Sequence, residues 1–342
     1  MDGTGRKTAK AAGVAGLGAM AAGIAWSRFA VPHDLPLPPA LDGELRETEG
    51  RAGRLAYYVA GEGAPLLLIH SINAAGSAYE VKPIFERAVA GRRVYAVDLP
   101  GFGFSDRSPR EYRMRLYVDA IHDMLDLIAE EAGGAPIDAL AVSLSGEFLA
   151  RAATERPGDL RSLALVTPTG FQKGSDRLRG PEGATLEVRG LYRSLQTPVL
   201  GQALFDLLAS RRSIRFFLEK TYGSKQIDED LLDYDYLTTH QPGARHAPFA
   251  FVSGRLFSRD IRTVYERLTL PVWMPHATRG DFQDFSNAGW LRDRPNWQVE
   301  PFPTGALVHF EEPDRLFDAY ERFLATPLVA AAEAHRSAGR AI

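Results

Sequence analysis

Three features of the sequence predict an α/β protein: a mostly parallel sheet flanked by helices, with a helical cap inserted after one strand. From Gly43 onward, short apolar runs alternate with stretches of helical period, the order that yields a parallel sheet covered on both faces. One such run, Ile137 to Val142, passes through a single residue, Ser143, into the helical pattern Ser145 to Ala153. The alternation then stops between residue 172 and about 265, where the pattern is helical and aromatic-rich, and resumes afterwards. In open parallel sheets, ligands bind beyond the carboxyl ends of the strands, so such an insertion would roof the site.

The elements follow in order. Glu44–Glu49 and Arg54–Val59 flank a glycine-containing turn and read as an antiparallel pair. Pro65–His70 and Arg93–Asp98 are apolar between their ends, as strands buried on both faces are. The loop Ser71–Ser77 leads into a helix over Ala78–Ala90, and Leu116–Glu131 carries a strong apolar stripe. The helix after Ser143 ends at Arg156-Pro157, and Arg161–Thr167 is the next strand. Within the interruption, Leu204–Leu208, Ser213–Tyr222 and Asp228–Thr239 are helical. Thr269–Met274, Trp297–Phe302 and a helix over Asp314–Leu324 complete the pattern. The expected division is a core of residues 43–171 and 266–326, a cap of 172–265, and an Ala-rich tail of 327–342.

Composition narrows the function. The 342 residues suffice for a large core with an insertion. A net charge of -3 offers no basic face for nucleic acid. With no cysteine there is no disulfide, thiolate metal site or cysteine nucleophile. His240 and His246 lack zinc-pair spacing, and the turn Leu99–Asp106 lacks the Lys-Ser/Thr ending of a phosphate loop. Neither a metal nor a cofactor is expected, and the partner is a small-molecule substrate or ligand.

Residues 1–42 are a separate problem. Arg6, Lys7 and Lys10 precede an uncharged Ala/Gly-rich run, Ala11–Ser27, and a Pro-rich linker, Pro32–Pro39. The run is either a signal or membrane-anchoring segment or a helix packed against something else. Localisation follows that choice: membrane-associated or exported in the first case, cytoplasmic in the second.

The chemistry centres on Ser143. A strand that reverses into a helix within one residue forces backbone against backbone, and small residues surround the turn: Ala141, Ser145 and Gly146. This elbow, the segment Asp98-Leu-Pro-Gly-Phe-Gly-Phe-Ser-Asp106, the apolar strand ending at His70, and Glu311-Glu-Pro313 together resemble the α/β-hydrolase superfamily over residues 44 to 326. The sequence departs from the family's pattern at Ala141 and Ser145, where flanking glycines are usual, and at Ser71, where glycine follows the histidine.

The resemblance implies a Ser–acid–His order along the chain. Ser143 is then the nucleophile, and Asp281, with Asp284 as second choice, the acid. Only His309 and His335 follow Asp281, and His335 lies in the tail, so elimination leaves His309 as the base. The family, however, places its base directly after the glycine, which is Ala306 here; His309 matches a second histidine that is structural or contacts ligand. Three loop residues can move a side chain by up to ~10 Å, beyond hydrogen-bond reach. Oxyanion donors are implied at Leu144 and at Ser71 or Ile72, with Asn73 as a side-chain donor to a substrate carbonyl. Glu147, one turn beyond Ser143, is either an ion-pair partner of Arg151 or a proton acceptor. Three functions stay open: a cofactor-independent serine hydrolase of esterase type acting on a small apolar substrate, a catalytically silent protein of the same fold that binds a ligand or partner, and an enzyme with altered proton chemistry that uses Glu147 or a substrate group.

Overall fold

The computed structural model describes residues 18, 20–175, 179–282 and 284–339. Eight strands form one sheet: β1 (Glu44–Gly50), β2 (Gly53–Ala60), β3 (Ala64–Ile69), β4 (Arg92–Val97), β5 (Ile137–Val142), β6 (Leu160–Val166), β7 (Val272–Ala277) and β8 (Trp297–Phe302). Their spatial order is β1-β2-β4-β3-β5-β6-β7-β8. The pairs β1–β2 and β2–β4 are antiparallel; all others are parallel.

Why the middle strands read as continuous apolar runs is plain from β3. Successive side chains of a strand point to opposite faces. Leu67 and Ile69 enter one apolar cluster, and Leu66 and Leu68 the other. All four are fully buried, each contributing about 1.5–3 kcal/mol. Residues 20–30 form α1. On the core, α2 (Lys82–Ala88) packs with α12 (Pro313–Leu324), and α3 (Met114–Glu131) packs with α4 (Ser145–Glu155). These two helix pairs belong to different clusters and so cover different faces. The chain order along the sheet reverses beside β3, so the loops after β3 and β5 border a switch-point crevice.

Between β6 and β7 lies a helical insertion comprising α5 (Leu191–Leu195), α6 (Pro198–Leu208), α7 (Arg211–Tyr222), α8 (Glu229–Thr239), α9 (His246–Val252) and α10 (Ile261–Arg267). Beyond α10, α11 (Val308–Glu311) precedes α12, and α13 (Pro327–Gly339) follows it. The insertion sits over loops that follow the strands' carboxyl ends. Arg107, after β4, donates to the carbonyl and hydroxyl of Thr238 on α8 (2.7 and 2.9 Å). Tyr79, after β3, stacks on Tyr234 with ring centroids 4.5 Å apart.

Two boundaries differ from the sequence expectation. The helix expected over Ala78–Ala90 is a short 3-10 turn, Ala78–Val81, followed by α2. Pro83 near the α2 start has no N–H to continue a preceding helix. Strand β7 begins and ends later than Thr269–Met274, because Pro275 still offers its carbonyl, which accepts Thr167 N–H at 2.8 Å. The Pro-rich stretch is irregular but tied down. Leu35 N–H donates to the His240 carbonyl (3.2 Å) and Tyr234 Oη–H to the Pro38 carbonyl (2.9 Å). Part of the Ala11–Ser27 run lies outside the described residues, and among those described no helix is long and apolar enough to cross a membrane.

Candidate active site

Ser143 has φ +53°, in the left-handed region that costs a non-glycine residue about 1–2 kcal/mol. Two bonds hold it there: Ser143 N–H donates to the Val166 carbonyl (2.9 Å), and its own carbonyl accepts Gly146 N–H (3.0 Å). Space behind it is tight, since a Cβ on Gly146 would stand 3.3 Å from the Pro168 side chain. The hydroxyl of Ser143 is half-buried and makes no hydrogen bond within the described residues. The Leu144 N–H, at the entry to α4, likewise donates to no described group.

The loop after β3 is fastened beside this elbow, Ser145 Oγ–H donating to the His70 carbonyl at 2.6 Å. His70 is itself a rivet. Its Nδ1–H donates to the Ser71 carbonyl (2.6 Å), while Nε2 accepts Leu99 N–H (3.0 Å). Burial drives its pKa down to about 4, so the ring is neutral. Buried Glu80 organises the rest. One carboxylate oxygen accepts Ser71 N–H (2.8 Å) and the other accepts Asn73 Nδ2–H (2.5 Å). Asn73 Oδ1 accepts Ala75 N–H (2.6 Å), so both ends of the Asn73 amide are spent on the loop. Of the two amides expected here, Ser71's is consumed and Ile72's donates to no described group. Glu80 carries little signal in the sequence beyond being one acid at an otherwise apolar helix start.

The expected acid and base are not brought to Ser143. Asp281 is exposed, its carboxylate 2.7 Å from Lys220 Nζ. A short loop carboxylate with water and a lysine at hand has no reason to turn inward. Asp284 caps its own turn, accepting from Lys173 N–H (2.8 Å) and Ser286 N–H (3.0 Å). His309 is fully buried in α11. Its Nε2 faces the Glu80 carbonyl at 2.6 Å and must carry the proton, because a carbonyl cannot donate. Nδ1 is buried with no hydrogen-bond partner. Burial lowers the His309 pKa to about 4, the carbonyl contact partly opposing it. No hydrogen bond links Ser143, His309 and Asp281.

Ala306 is linked to the elbow through Thr167. Its carbonyl accepts Thr167 Oγ1–H at 3.0 Å, and Thr167 follows Val166, the residue that holds Ser143 N–H. Thr167 itself has φ +45°. The Ala306 N–H donates to the Thr221 carbonyl (2.9 Å) at the end of α7. Nearby carbonyls of that helix end are taken too: Lys220 by Asp281 N–H (3.2 Å) and Tyr222 by Arg279 Nε–H (3.0 Å). The approach is close enough to require glycine at 305, where a Cβ would lie 2.5 Å from Tyr222 Cα.

Glu147 does not pair with Arg151, whose guanidinium instead meets Asp260 at 2.7 Å. Its buried carboxyl accepts Thr169 Oγ1–H (2.5 Å) and Ser258 N–H (2.9 Å), joining the end of β6 to the returning insertion. Burial raises its pKa to about 7, against those bonds. Two clefts, of about 590 and 440 Å³, open around Glu187 and Arg255, and Ser143 lines neither. Among the described residues no group of three or more His, Asp or Glu side chains is placed to hold a metal ion.

Comparison with known proteins agrees with this architecture. The chain is 23% identical over 262 residues to pimeloyl-[acyl-carrier protein] methyl ester esterase of Aliivibrio salmonicida, spanning 69% of this chain and 90% of that protein. It is 27% identical over 201 residues to 2-hydroxymuconate semialdehyde hydrolase of Pseudomonas putida, spanning 58% of this chain and 62% of that one. Among solved structures, a probable hydrolytic enzyme from Pseudomonas aeruginosa PAO1 superposes with a TM-score of 0.62 at 21% identity, covering 85% of this chain and 96% of that one. A meta-cleavage product hydrolase from Pseudomonas fluorescens IP01 does so with a TM-score of 0.62 at 19% identity, covering 82% and 97%. The profile of the Alpha/beta hydrolase family matches residues 66–319, and the chain belongs to that family.

Proposed function

We propose that this protein uses the hydrolase scaffold to bind a small carbonyl compound beneath its helical cap, without running serine acyl transfer at enzymatic rates. The observation that carries the reading is the His309–Glu80 hydrogen bond of 2.6 Å. It holds the imidazole proton against a backbone carbonyl, while the position linked to the elbow through Thr167 is Ala306. A serine hydroxyl without a base in reach is a poor nucleophile. The unspent amides of Leu144 and Ile72 still suit a carbonyl oxygen. The names of the similar proteins, a methyl ester esterase and a semialdehyde hydrolase, fit that ligand class.

A second reading keeps the chemistry: a cofactor-independent, esterase-type serine hydrolase in which Ser143 attacks, His309 carries the proton and Asp281 orients it. What favours it is the strained φ +53° at Ser143, since such strain persists mainly at functional sites. It requires the loop 304–309 to re-route. Labelling with a fluorophosphonate separates the two. The binding reading expects no covalent label that depends on Ser143, in wild type or in His309→Ala. Labelling lost in Ser143→Ala sinks it, and if a folded His309→Ala also fails to label, His309 is the base.

A further inference from the structure

Fourteen large apolar side chains are exposed among the described residues, and nine of them fall on just three helices, α1, α6 and α7. On α6, Leu200, Leu204 and Leu207 recur at i, i+4 and i+7, a helical stripe facing outward rather than into the core. Phe29 on α1 is 82% exposed, and Phe216 and Phe217 on α7 are about half exposed. The three helices are neighbours. Asp206, on a buried side of α6, accepts Ser27 Oγ–H from α1 at 2.5 Å and lies 3.0 Å from His33 Nε2. Helix α7 packs directly on α6.

Charge identifies the partner. Arg28 on α1, Arg193 on α5 and Arg212 on α7 are exposed and make no ion pair among the described residues. In a two-fold pairing of this face with a second copy, these like charges would be brought together. An anionic lipid surface instead complements both the arginines and the apolar side chains. We propose that α1, α6 and α7 form a monotopic docking face that lies on an anionic bilayer, so that the cap side of the molecule faces the membrane. This inference stands independently of the reading of Ser143.

The test is co-sedimentation of the full chain with vesicles of phosphatidylcholine alone or of an equimolar phosphatidylcholine–phosphatidylglycerol mixture. Binding to the mixed vesicles, falling with added salt, is expected. Leu204→Ser/Leu207→Ser/Phe216→Ser should weaken it by at least roughly ten-fold, and Arg28→Glu/Arg212→Glu should abolish the preference for anionic lipid. All these positions are exposed, and an unchanged circular dichroism melt confirms folding. Three results overturn the proposal: no sedimentation with anionic vesicles, binding undiminished in the triple variant, or a dimer that the triple variant dissociates while vesicles bind nothing.

Discussion

The two halves of the candidate site have been treated differently. On the side of β5, the elbow has a left-handed serine, an unspent hydroxyl, and an unspent amide at Leu144. On the side of β7 and β8, the loops that would carry acid and base are sewn to the end of α7, and their polar side chains point to solvent or to Glu80. One half keeps a conformation that costs stability; the other has spent its polar groups on stability. The lesson is that a nucleophile elbow and a proton relay are separable parts, held by different contacts.

Substitutions can break or sharpen this contrast. The largest effect is expected at the relay half, where His309→Ala leaves a cavity and an unpaired Glu80 carbonyl, costing about 3 kcal/mol in denaturant unfolding. The pH dependence has a definite sign. His70 and His309 have folded pKa values near 4, below their unfolded value of 6.5. Their contribution is full above that value and is lost as pH falls towards 4, because the unfolded chain takes up the protons first. His309→Ala should flatten this acid-side slope; an unchanged slope would mean that the ring is not buried neutral.

Next comes Ala306→His, which places an imidazole on the loop that Thr167 links to the elbow. Hydrolysis of p-nitrophenyl acetate should rise by about 100-fold, and a variant no faster than wild type would show that a base at 306 does not activate Ser143. Glu147→Gln follows. With a folded pKa of about 7 against 4.5, the glutamate loses stability as pH rises through that window. The amide avoids that loss and should be more stable at pH 8 by on the order of 2 kcal/mol. Ser143→Gly should raise stability by about 1 kcal/mol through relief of the positive φ, read as an upward shift in the denaturation midpoint. The smallest effect belongs to Asp281→Ala. Its exposed pair with Lys220 predicts a change below about 0.5 kcal/mol, and a larger loss would reveal a role beyond the surface.

Much of the fold was legible because its signals are local. Continuous apolar runs marked β3 to β6 to within a residue or two, and Ser143 with its small neighbours marked the elbow. The relay half was not legible, for a physical reason. What decides the fate of His309 is a carbonyl 229 positions away in sequence, and what spends the Ser71 amide is the carboxylate of Glu80, buried at a helix start. Asp281 follows a strand in the chain, and chain position does not say whether a loop side chain turns towards the site or towards Lys220. Glu147 was similar: the i,i+4 rule offered Arg151, but Thr169 and Ser258 arrive from distant segments and compete successfully.

At the seam between α7 and the loop at 305–306, Ala306 contributes its N–H to the Thr221 carbonyl and Gly305 the lack of a side chain, while the Ala306 carbonyl accepts Thr167 Oγ1–H after β6. The identity of the side chain at 306 is therefore invisible to the joint. A change of side chain at 306 should leave these main-chain bonds in place, and stability alone places little constraint on that position.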